Sequence, residues 1–233
     1  MSDYDTVAEA YDLDNETSLQ NAYYERPATL ALAGDVTGRR ILDAGCGAGP
    51  LFAALRERGA VVSGIDVSAG MVERARVAPR CGRRRAGRGR RRPAAVRARE
   101  FDDVVASLVL HYLRDWGPAL TGFRRVLRTG GRLTASVNHP TAEYVIERMQ
   151  GRRPDYFAVY SQAGTWPVGD QTVEVTFWNR PLHAMTDAFA AAGFRISSIS
   201  EPPPLPEARD LFPGEFAHYA DAPNFLFFAL QAD

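Results

Sequence analysis

The feature that most constrains this chain is a glycine-rich turn that follows a short apolar run. Residues 40–45 form this run, which ends in glycine and is typical of a buried parallel strand. Gly45, Gly47 and Gly49 stand at alternate positions, and helical periodicity begins at Leu51. Glycine allows a sharp turn and a close approach of a ligand to the main chain, and the next helix offers unpaired N–H groups. The turn therefore predicts a ligand site at the end of a strand.

Two carboxylates help to define the kind of ligand. Taken alone, a glycine-rich turn would fit a dinucleotide-binding protein about as well. The spacing G-x-G-x-G, however, places the third glycine one residue earlier than the dinucleotide pattern does. Asp43 precedes the glycines and could accept a hydrogen bond from an ammonium group. Asp66 ends the next predicted strand, where its carboxylate could accept hydrogen bonds from both hydroxyls of a ribose.

Beyond this turn the chain alternates strands with helices. Further strands are predicted at 60–65, 101–110, 132–137, 194–200 and 224–230, and helices at 51–58, 69–76, 118–127 and 181–192. The alternation predicts one α/β domain over residues 1–233, with a mostly parallel sheet covered on both faces. Residues 1–38 are predicted to form an N-terminal helical cap, and residues 141–180 an insertion after the fifth strand.

Motifs along the chain resemble, in the correct order, those of class I S-adenosylmethionine (SAM)-dependent methyltransferases. They are residues 41–49, 64–71, 101–107 and 123–131. The resemblance is closest to the small-molecule branch that includes ubiquinone-biosynthesis-like enzymes. It implies a Rossmann-like, doubly wound sheet of seven strands with the last one antiparallel. It also implies SAM as cofactor and methyl transfer to O, N or C of a small metabolite, in secondary metabolism or quinone-like chemistry.

By the same resemblance, one set of residues is expected to bind SAM. They are Asp43, Gly45, Gly47 and Gly49 at the methionine end, Asp66 at the ribose, Val67 and Met71 beside the adenine, Ser107 and Leu108 below the sulfonium, and Tyr11 and Arg26 in the N-terminal helices that could close over it. Ordinary helix packing is the alternative role for the N-terminal residues.

Two histidines are the candidate catalytic residues. Methyl transfer from a sulfonium is an in-line displacement with an activated donor, so the enzyme mainly aligns the acceptor and removes its proton. His111 follows the fourth predicted strand and His139 the fifth, at the edge where open α/β sheets bind ligands. A pKa of about 6.5 suits histidine to be a general base. Alternatively, each caps a strand end or shapes the pocket.

The predicted insertion suggests what the acceptor is. Its aromatic residues are Tyr144, Tyr156, Phe157, Tyr160, Trp166, Phe177 and Trp178, with Asn179 and Arg180 nearby. A long connection with its own apolar content is commonly a lid or a binding element. The acceptor is therefore expected to be aromatic or otherwise apolar, unless these rings simply pack a subdomain.

Residues 77–100 depart from the family pattern. They hold ten arginines against one acid, Glu100, in a chain of 28 basic and 28 acidic residues. The family would have a strand here, and an acid that binds the adenine. Three interpretations are a solvated basic loop, a nucleic-acid-binding arm and a stretch translated in the wrong frame. The last is favoured, because consecutive arginine codons of the form CGN, read one base later, become GNC and encode Val, Ala, Asp or Gly.

The frame hypothesis and its alternative have different consequences. An Arg-rich frame found intact on both strands of the resequenced gene would reject the hypothesis. If the segment is real, a sheet strand and the adenine-binding acid are missing. The alternative function is then a catalytically impaired or non-catalytic protein with the SAM-binding fold.

Composition indicates the compartment and the partners to be expected for this protein. Cys46 and Cys81 are too few for a disulfide framework, and no basic and apolar leader or run of about 20 apolar residues is present. We expect a cytoplasmic protein, monomeric or homodimeric, that acts on a small molecule and binds neither nucleic acid nor membrane. The scattered histidines match no zinc-ligand spacing, so no metal site is expected.

Overall fold

Strands and helices alternate along the described part of the chain, as the sequence predicts. The structure, a computed structural model, describes residues 15–77, 97–168 and 171–233. The strands are β1 Arg40–Ala44, β2 Val61–Ile65, β3 Phe101–Ala106, β4 Leu127–Asn138, β5 Tyr160–Val168, β6 Gln171–Asn179, β7 Phe194–Ser200 and β8 Phe225–Ala232. The helices include α1 Arg26–Ala33, α2 Pro50–Glu57, α3 Ala69–Val77, α4 Gly117–Val126, α5 Pro140–Met149, α6 Leu182–Ala191, α7 Ala208–Leu211 and α8 Pro213–Tyr219.

The central sheet has the order β2-β1-β3-β4-β8-β7. Strands β1 to β4 are parallel to one another, while β8 lies antiparallel between β4 and β7. The predicted fold class is thus confirmed, with the last strand of the chain as the antiparallel one. Six strands form this sheet among the described residues, against the seven expected. Residues 78–96, which make up most of the arginine-rich segment 77–100, lie outside the described residues.

Both faces of the central strands of the sheet are buried, which explains the apolar runs in β1, β3 and β8. Neighbouring residues on a strand point to opposite faces. Ile41 therefore packs with residues of α1 and α2, including Leu30 and Leu55, in one apolar cluster. Leu42 belongs to the cluster on the other face, under α4 and α6. Parallel strands covered in this way have no solvent-facing polar side and read as near-continuous apolar sequence.

One strand is longer than predicted. Strand β4 begins at Leu127 instead of residue 132, and its pairing with β3 shifts register between Phe101 and Asp103. Gly131 lies in this irregular stretch. A Cβ there would stand 2.9 Å from the Arg128 carbonyl oxygen and 3.0 Å from that of Asp102. Such distances are too short for a methyl group, so the irregular stretch requires glycine.

The predicted N-terminal cap and insertion have definite internal structure. A π-helix, Leu19–Glu25, runs directly into α1, while residues 1–14 lie outside the described part. The insertion contains α5 and a separate antiparallel hairpin of β5 and β6. In the ranges that the structure describes, no helix has the length and apolarity to cross a bilayer.

An ion-pair cluster lies at the amino end of the parallel strands. The Asp103 carboxylate accepts hydrogen bonds from the guanidinium groups of Arg39 at 2.8 Å and Arg132 at 2.7 Å. Burial by itself raises the pKa of Asp103, but these bonds and the two positive charges outweigh it and lower that pKa below its usual range. The cluster therefore ties β3 to β4 and to the start of β1.

We expect Asp103→Asn to lower the free energy of unfolding by about 2 kcal/mol at pH 7. This is less than the roughly 3–5 kcal/mol for breaking a fully buried pair, because water reaches the Arg39 and Arg132 side chains, which are 32% and 40% exposed. The pKa of Asp103 is lower in the folded protein than its value of about 4 in the unfolded chain. The stability that Asp103 contributes is therefore fully present above about pH 4 and is lost as pH falls through the pKa of the folded state.

Urea unfolding at pH 7 and pH 3 measures this effect. The gap between wild type and variant should narrow at pH 3. Asp233→Asn is the control, because Asp233 makes only an exposed 3.8 Å pair with Arg195. Equal stabilities of Asp103→Asn and wild type at pH 7 would contradict the role given to Asp103.

Candidate functional site

The glycine turn lies where β1 ends and is held against the end of β2. Its backbone is left-handed at all three predicted glycines, with φ of 81° at Gly45, 52° at Gly47 and 95° at Gly49. The amides of Gly45 and Cys46 donate to the Ile65 carbonyl oxygen at 2.8 and 3.0 Å. A Cβ on Gly45 would come within 2.2 Å of the Val109 side chain. The turn thus requires glycine for both its torsion angles and its packing.

Asp66 connects this turn to α3. Its Oδ2 accepts the Gly47 amide at 2.9 Å, and its Oδ1 accepts the Ser68 amide at 2.8 Å. The Ser68 hydroxyl in turn accepts the Met71 amide at 3.1 Å and so caps α3. A carboxylate has about four lone-pair positions, so Asp66 can hold the turn and still accept hydrogen bonds from a ligand.

Asp43 is a buried carboxylate with an unsatisfied oxygen. The residue is 1% exposed, and Oδ2 has no hydrogen-bond partner. Burial raises the pKa of Asp43 to about 7, and the negative charges of Asp66 and Glu25 add to the effect. Buried polar groups are nearly always paired. An unpaired carboxylate oxygen at the glycine turn therefore favours a ligand that donates a hydrogen bond there.

Glu25 is a second buried carboxylate, and the sequence analysis missed it. It is 3% exposed, and its Oε1 accepts the hydroxyls of Thr29 at 2.7 Å, Ser107 at 2.8 Å and Ser136 at 2.5 Å. Ser107 follows β3 and Ser136 lies on β4, so this one oxygen joins the N-terminal helices to two strands of the sheet. A single acid in a helical segment equally fits a solvated face, so no local pattern marked Glu25 as part of a site.

Together the two buried carboxylates and Asp66 make the site strongly acidic. The charges of Asp66 and Glu25 both act on Asp43. Among the contacts of the described residues, neither a hydrogen bond nor an ion pair from arginine or histidine reaches any of the three. Like charges held together at low dielectric favour a cationic ligand. SAM carries an ammonium and a sulfonium and therefore fits this residue set.

The other expected cofactor residues have varied positions. Val67 is 95% exposed next to Asp66, whereas Met71 is buried at 3% and can only support an adenine site from beneath. Leu108 takes a left-handed φ of 51°, and its amide donates to the Ser136 hydroxyl at 2.9 Å. Arg26 donates to the Asn15 carbonyl oxygen within the N-terminal segment. Tyr11 lies outside the described residues.

His111 is buried and lies beside a cavity. Its Nδ1 accepts the Asn138 amide at 3.2 Å, which places the proton of the neutral ring on Nε2. Burial lowers the pKa of His111 to about 3. The neutral ring is thus a hydrogen-bond donor through Nε2, and this arrangement favours the pocket-shaping role over that of a base.

His139 has hydrogen bonds at both ring nitrogens. Its Nδ1 accepts the Thr141 amide at 3.2 Å and so caps α5, and its Nε2 lies 2.6 Å from Glu201 Oε1. Glu201 follows β7, so the pair joins two strand ends. These contacts favour a capping role for His139 over that of a general base.

The cavity beside His111 has a volume of about 590 Å³. It lies between the N-terminal segment, α5, the β5–β6 hairpin and α8. Its lining is mixed, with aromatic and aliphatic side chains opposite carboxylates, amides and an arginine. The lining includes Leu108, His111, Tyr112, Asn138, Glu143, Arg152, Gln162, Glu174, Phe177, His218, Tyr219 and Phe225. Leu108 directly follows Ser107, so the cavity adjoins the acidic site.

The aromatic residues of the insertion have different roles. Phe177 packs edge-on against His111 at 5.3 Å between ring centroids and also contacts Tyr112 at 5.2 Å, forming one cavity wall. Tyr144 and Tyr156, by contrast, pack on each other at 5.5 Å. The predicted aromatic acceptor surface thus includes Phe177, whereas Tyr144 and Tyr156 pack within the insertion.

Comparison with known proteins agrees with this geometry. The family model described as a methyltransferase domain matches residues 42–135, which contain the glycine turn, Asp66 and Ser107. A demethylmenaquinone methyltransferase of Thermobifida fusca is 29% identical over 191 residues, which cover 70% of this chain and 78% of that protein. Aklanonic acid methyltransferase DauC of Streptomyces sp. is 36% identical over 110 residues, 42% of this chain and 47% of that one.

Among solved structures, one of a SAM-dependent methyltransferase from Listeria monocytogenes has a similar fold. The TM-score is 0.69 at 23% identity, over 90% of this chain and 96% of that one. The comparisons give no support to the alternative of a non-catalytic protein, and the expected cofactor and reaction class are confirmed. These findings support a class I SAM-dependent methyltransferase.

Proposed function

We propose that this protein transfers the methyl group of SAM to a planar small molecule that carries polar substituents. The observation that carries the proposal is the unpaired, buried Oδ2 of Asp43 at the glycine turn, next to a cavity of about 590 Å³. The first feature fits the cofactor's ammonium, and the second has the volume of a small-molecule site. Both lie at the carboxyl ends of the parallel strands, where this fold class binds its ligands.

Each carboxylate has a separate role in holding the cofactor. Asp43 accepts from the ammonium, and Asp66 accepts from the ribose hydroxyls while it keeps the Gly47 amide in place. Glu25 fixes the Ser107 hydroxyl, and its charge adds to the field that favours a cation. Once bound there, SAM supplies an activated methyl group. The chain itself mainly positions the acceptor and accepts its proton.

The cavity walls support the class of acceptor. Tyr112, Phe177 and Phe225 provide flat apolar surface, while Glu143 and Arg152 provide polar contacts. A ring system with hydroxyl or carbonyl groups suits such a mixture better than a purely apolar molecule. The relatives' names, demethylmenaquinone and aklanonic acid methyltransferase, are consistent with this choice.

We expect calorimetric titration with S-adenosylhomocysteine (SAH) to give one-to-one binding that weakens below pH 7. In the free protein Asp43 has a pKa of about 7, so below that pH it must lose a proton before it can accept from the ligand's ammonium. Affinity should then fall by up to about tenfold per pH unit. Asp66→Ala should abolish binding.

Two variants test the assignment. Asp43→Asn should bind weakly with an affinity independent of pH between 5 and 8, because the titrating group is gone. Asp187→Asn, an exposed position on α6, should behave as wild type. Wild-type affinity that stays constant over this pH range would contradict the role of Asp43, and lack of binding by folded wild-type protein would contradict the proposed function.

The ligand-free protein should also be destabilised by Asp43 at high pH. Because its folded pKa lies above the unfolded value, stability falls as pH rises from about 4 to about 7. We therefore expect Asp43→Asn to raise the free energy of unfolding at pH 8 relative to wild type, by at most about 4 kcal/mol. At pH 4.5, where Asp43 is protonated, the two proteins should be similar. Urea titrations at both pH values measure this, and no pH-dependent difference would contradict the raised pKa.

A further inference from the structure

Glu143 is a carboxylate in the acceptor cavity that has no role in binding the cofactor. It lies in the first turn of α5 and lines the same cavity as His111. The side chains of Asn138, at the end of β4, and Gln162, on β5, line this cavity with it and act on its pKa. Polar groups from the sheet and from the hairpin thus lie near this one carboxylate.

Asn138 lines the cavity together with Glu143 and His111. Its backbone amide donates to His111 Nδ1 at 3.2 Å, and its side chain is near enough to the Glu143 carboxylate to lower the pKa of that group. His111 is consequently a donor through Nε2, whereas the ionised Glu143 carboxylate is an acceptor. The cavity therefore presents one donor and one acceptor that both neighbour Asn138.

The surroundings of Glu143 suit it to take up a proton. Burial raises its pKa, the side chains of Gln162 and Asn138 act in the opposite direction, and the charge of Glu147 adds to the increase. A raised pKa is favourable for a carboxylate that acts as a general base. The other titratable or charged groups around it are Tyr144 and Glu147 on its own helix, Tyr160 and Glu174 on the hairpin, Arg152 after the helix, His111, and His218 and Tyr219 across the cavity.

We propose that Glu143 and His111 together bind a phenolic or enolic hydroxyl of the acceptor, with Glu143 as the base. This deepens the proposed function and rests on it. The hydroxyl oxygen accepts from His111 Nε2–H, and its proton is donated to the Glu143 carboxylate. As the acceptor oxygen bonds to the methyl carbon, the carbon–sulfur bond breaks and its electron pair stays on sulfur. The proton moves to Glu143 and from there to solvent.

The donor and acceptor pair selects a hydroxyl over other groups. A protonated amine has no lone pair to accept from His111. A carboxylate has no proton for Glu143, whose charge would repel it. A hydroxyl is both donor and acceptor. It therefore satisfies both side chains at one atom, and burial penalises ligands that leave either of them unpaired.

Binding of 4-nitrophenol to the SAH complex tests this inference without turnover. Wild-type protein should prefer the neutral phenol, so affinity should fall as the probe ionises. In Glu143→Gln the repelling charge is gone while the His111 donor remains. The variant should then prefer the phenolate, and its affinity should rise by about tenfold or more over the same pH range. Equilibrium dialysis at pH 5.5 to 8.5 measures both profiles.

The matched control is Asp187→Asn. Asp187 is exposed on α6 and is not among the residues that line the cavity. It should keep the wild-type profile. Parallel profiles for wild type and Glu143→Gln, or no probe binding by protein that binds SAH, would overturn the inference. Failure to bind SAH would contradict the proposed function instead.

Discussion

The acidic site depends on one constraint, which is the burial of the Asp43 carboxylate at the end of a parallel strand. The strand is covered on both faces, and Asp43 is 1% exposed. The glycine turn that follows is fixed by left-handed torsions and by its bonds to the end of β2. A charge held there without a partner is costly. A bound cation would offset this cost, which is the physical basis of the role proposed for Asp43.

Glu25 shows how the N-terminal helices become part of this site. Three hydroxyl groups converge on its Oε1, one from the adjoining helix α1 and two from β4 and the end of β3. Since Ser136 also accepts the Leu108 amide, the same network holds the strained residue at the border between the acidic site and the acceptor cavity. Cofactor and acceptor sites therefore share a set of buried hydrogen bonds, and a change in one is expected to affect the other.

The two histidines illustrate what sequence position can and cannot predict. Both lie after parallel strands, as expected, and both are near the functional edge of the sheet. Their roles follow from their partners. An amide donated to His111 Nδ1 fixes the proton on Nε2 and makes the ring a donor. The pairing of His139 with Thr141 and Glu201 makes it a cap. Glu143, which the sequence analysis did not single out, is better placed to accept a proton.

The sequence by itself determined the features that are local in the chain. These features are short-range patterns whose physical causes act within a few residues. They are the spacing of the glycines, the positions of Asp43 and Asp66, and the alternation of strands with helices. They were sufficient for the fold class and the cofactor. The tertiary structure alone decided which distant groups meet. It brings Glu25 to Ser107 and Ser136, Glu143 to Asn138 and Gln162, and His139 to Glu201. The burial of these groups and the contacts between distant residues arise only from long-range packing, so no local pattern could have assigned these roles.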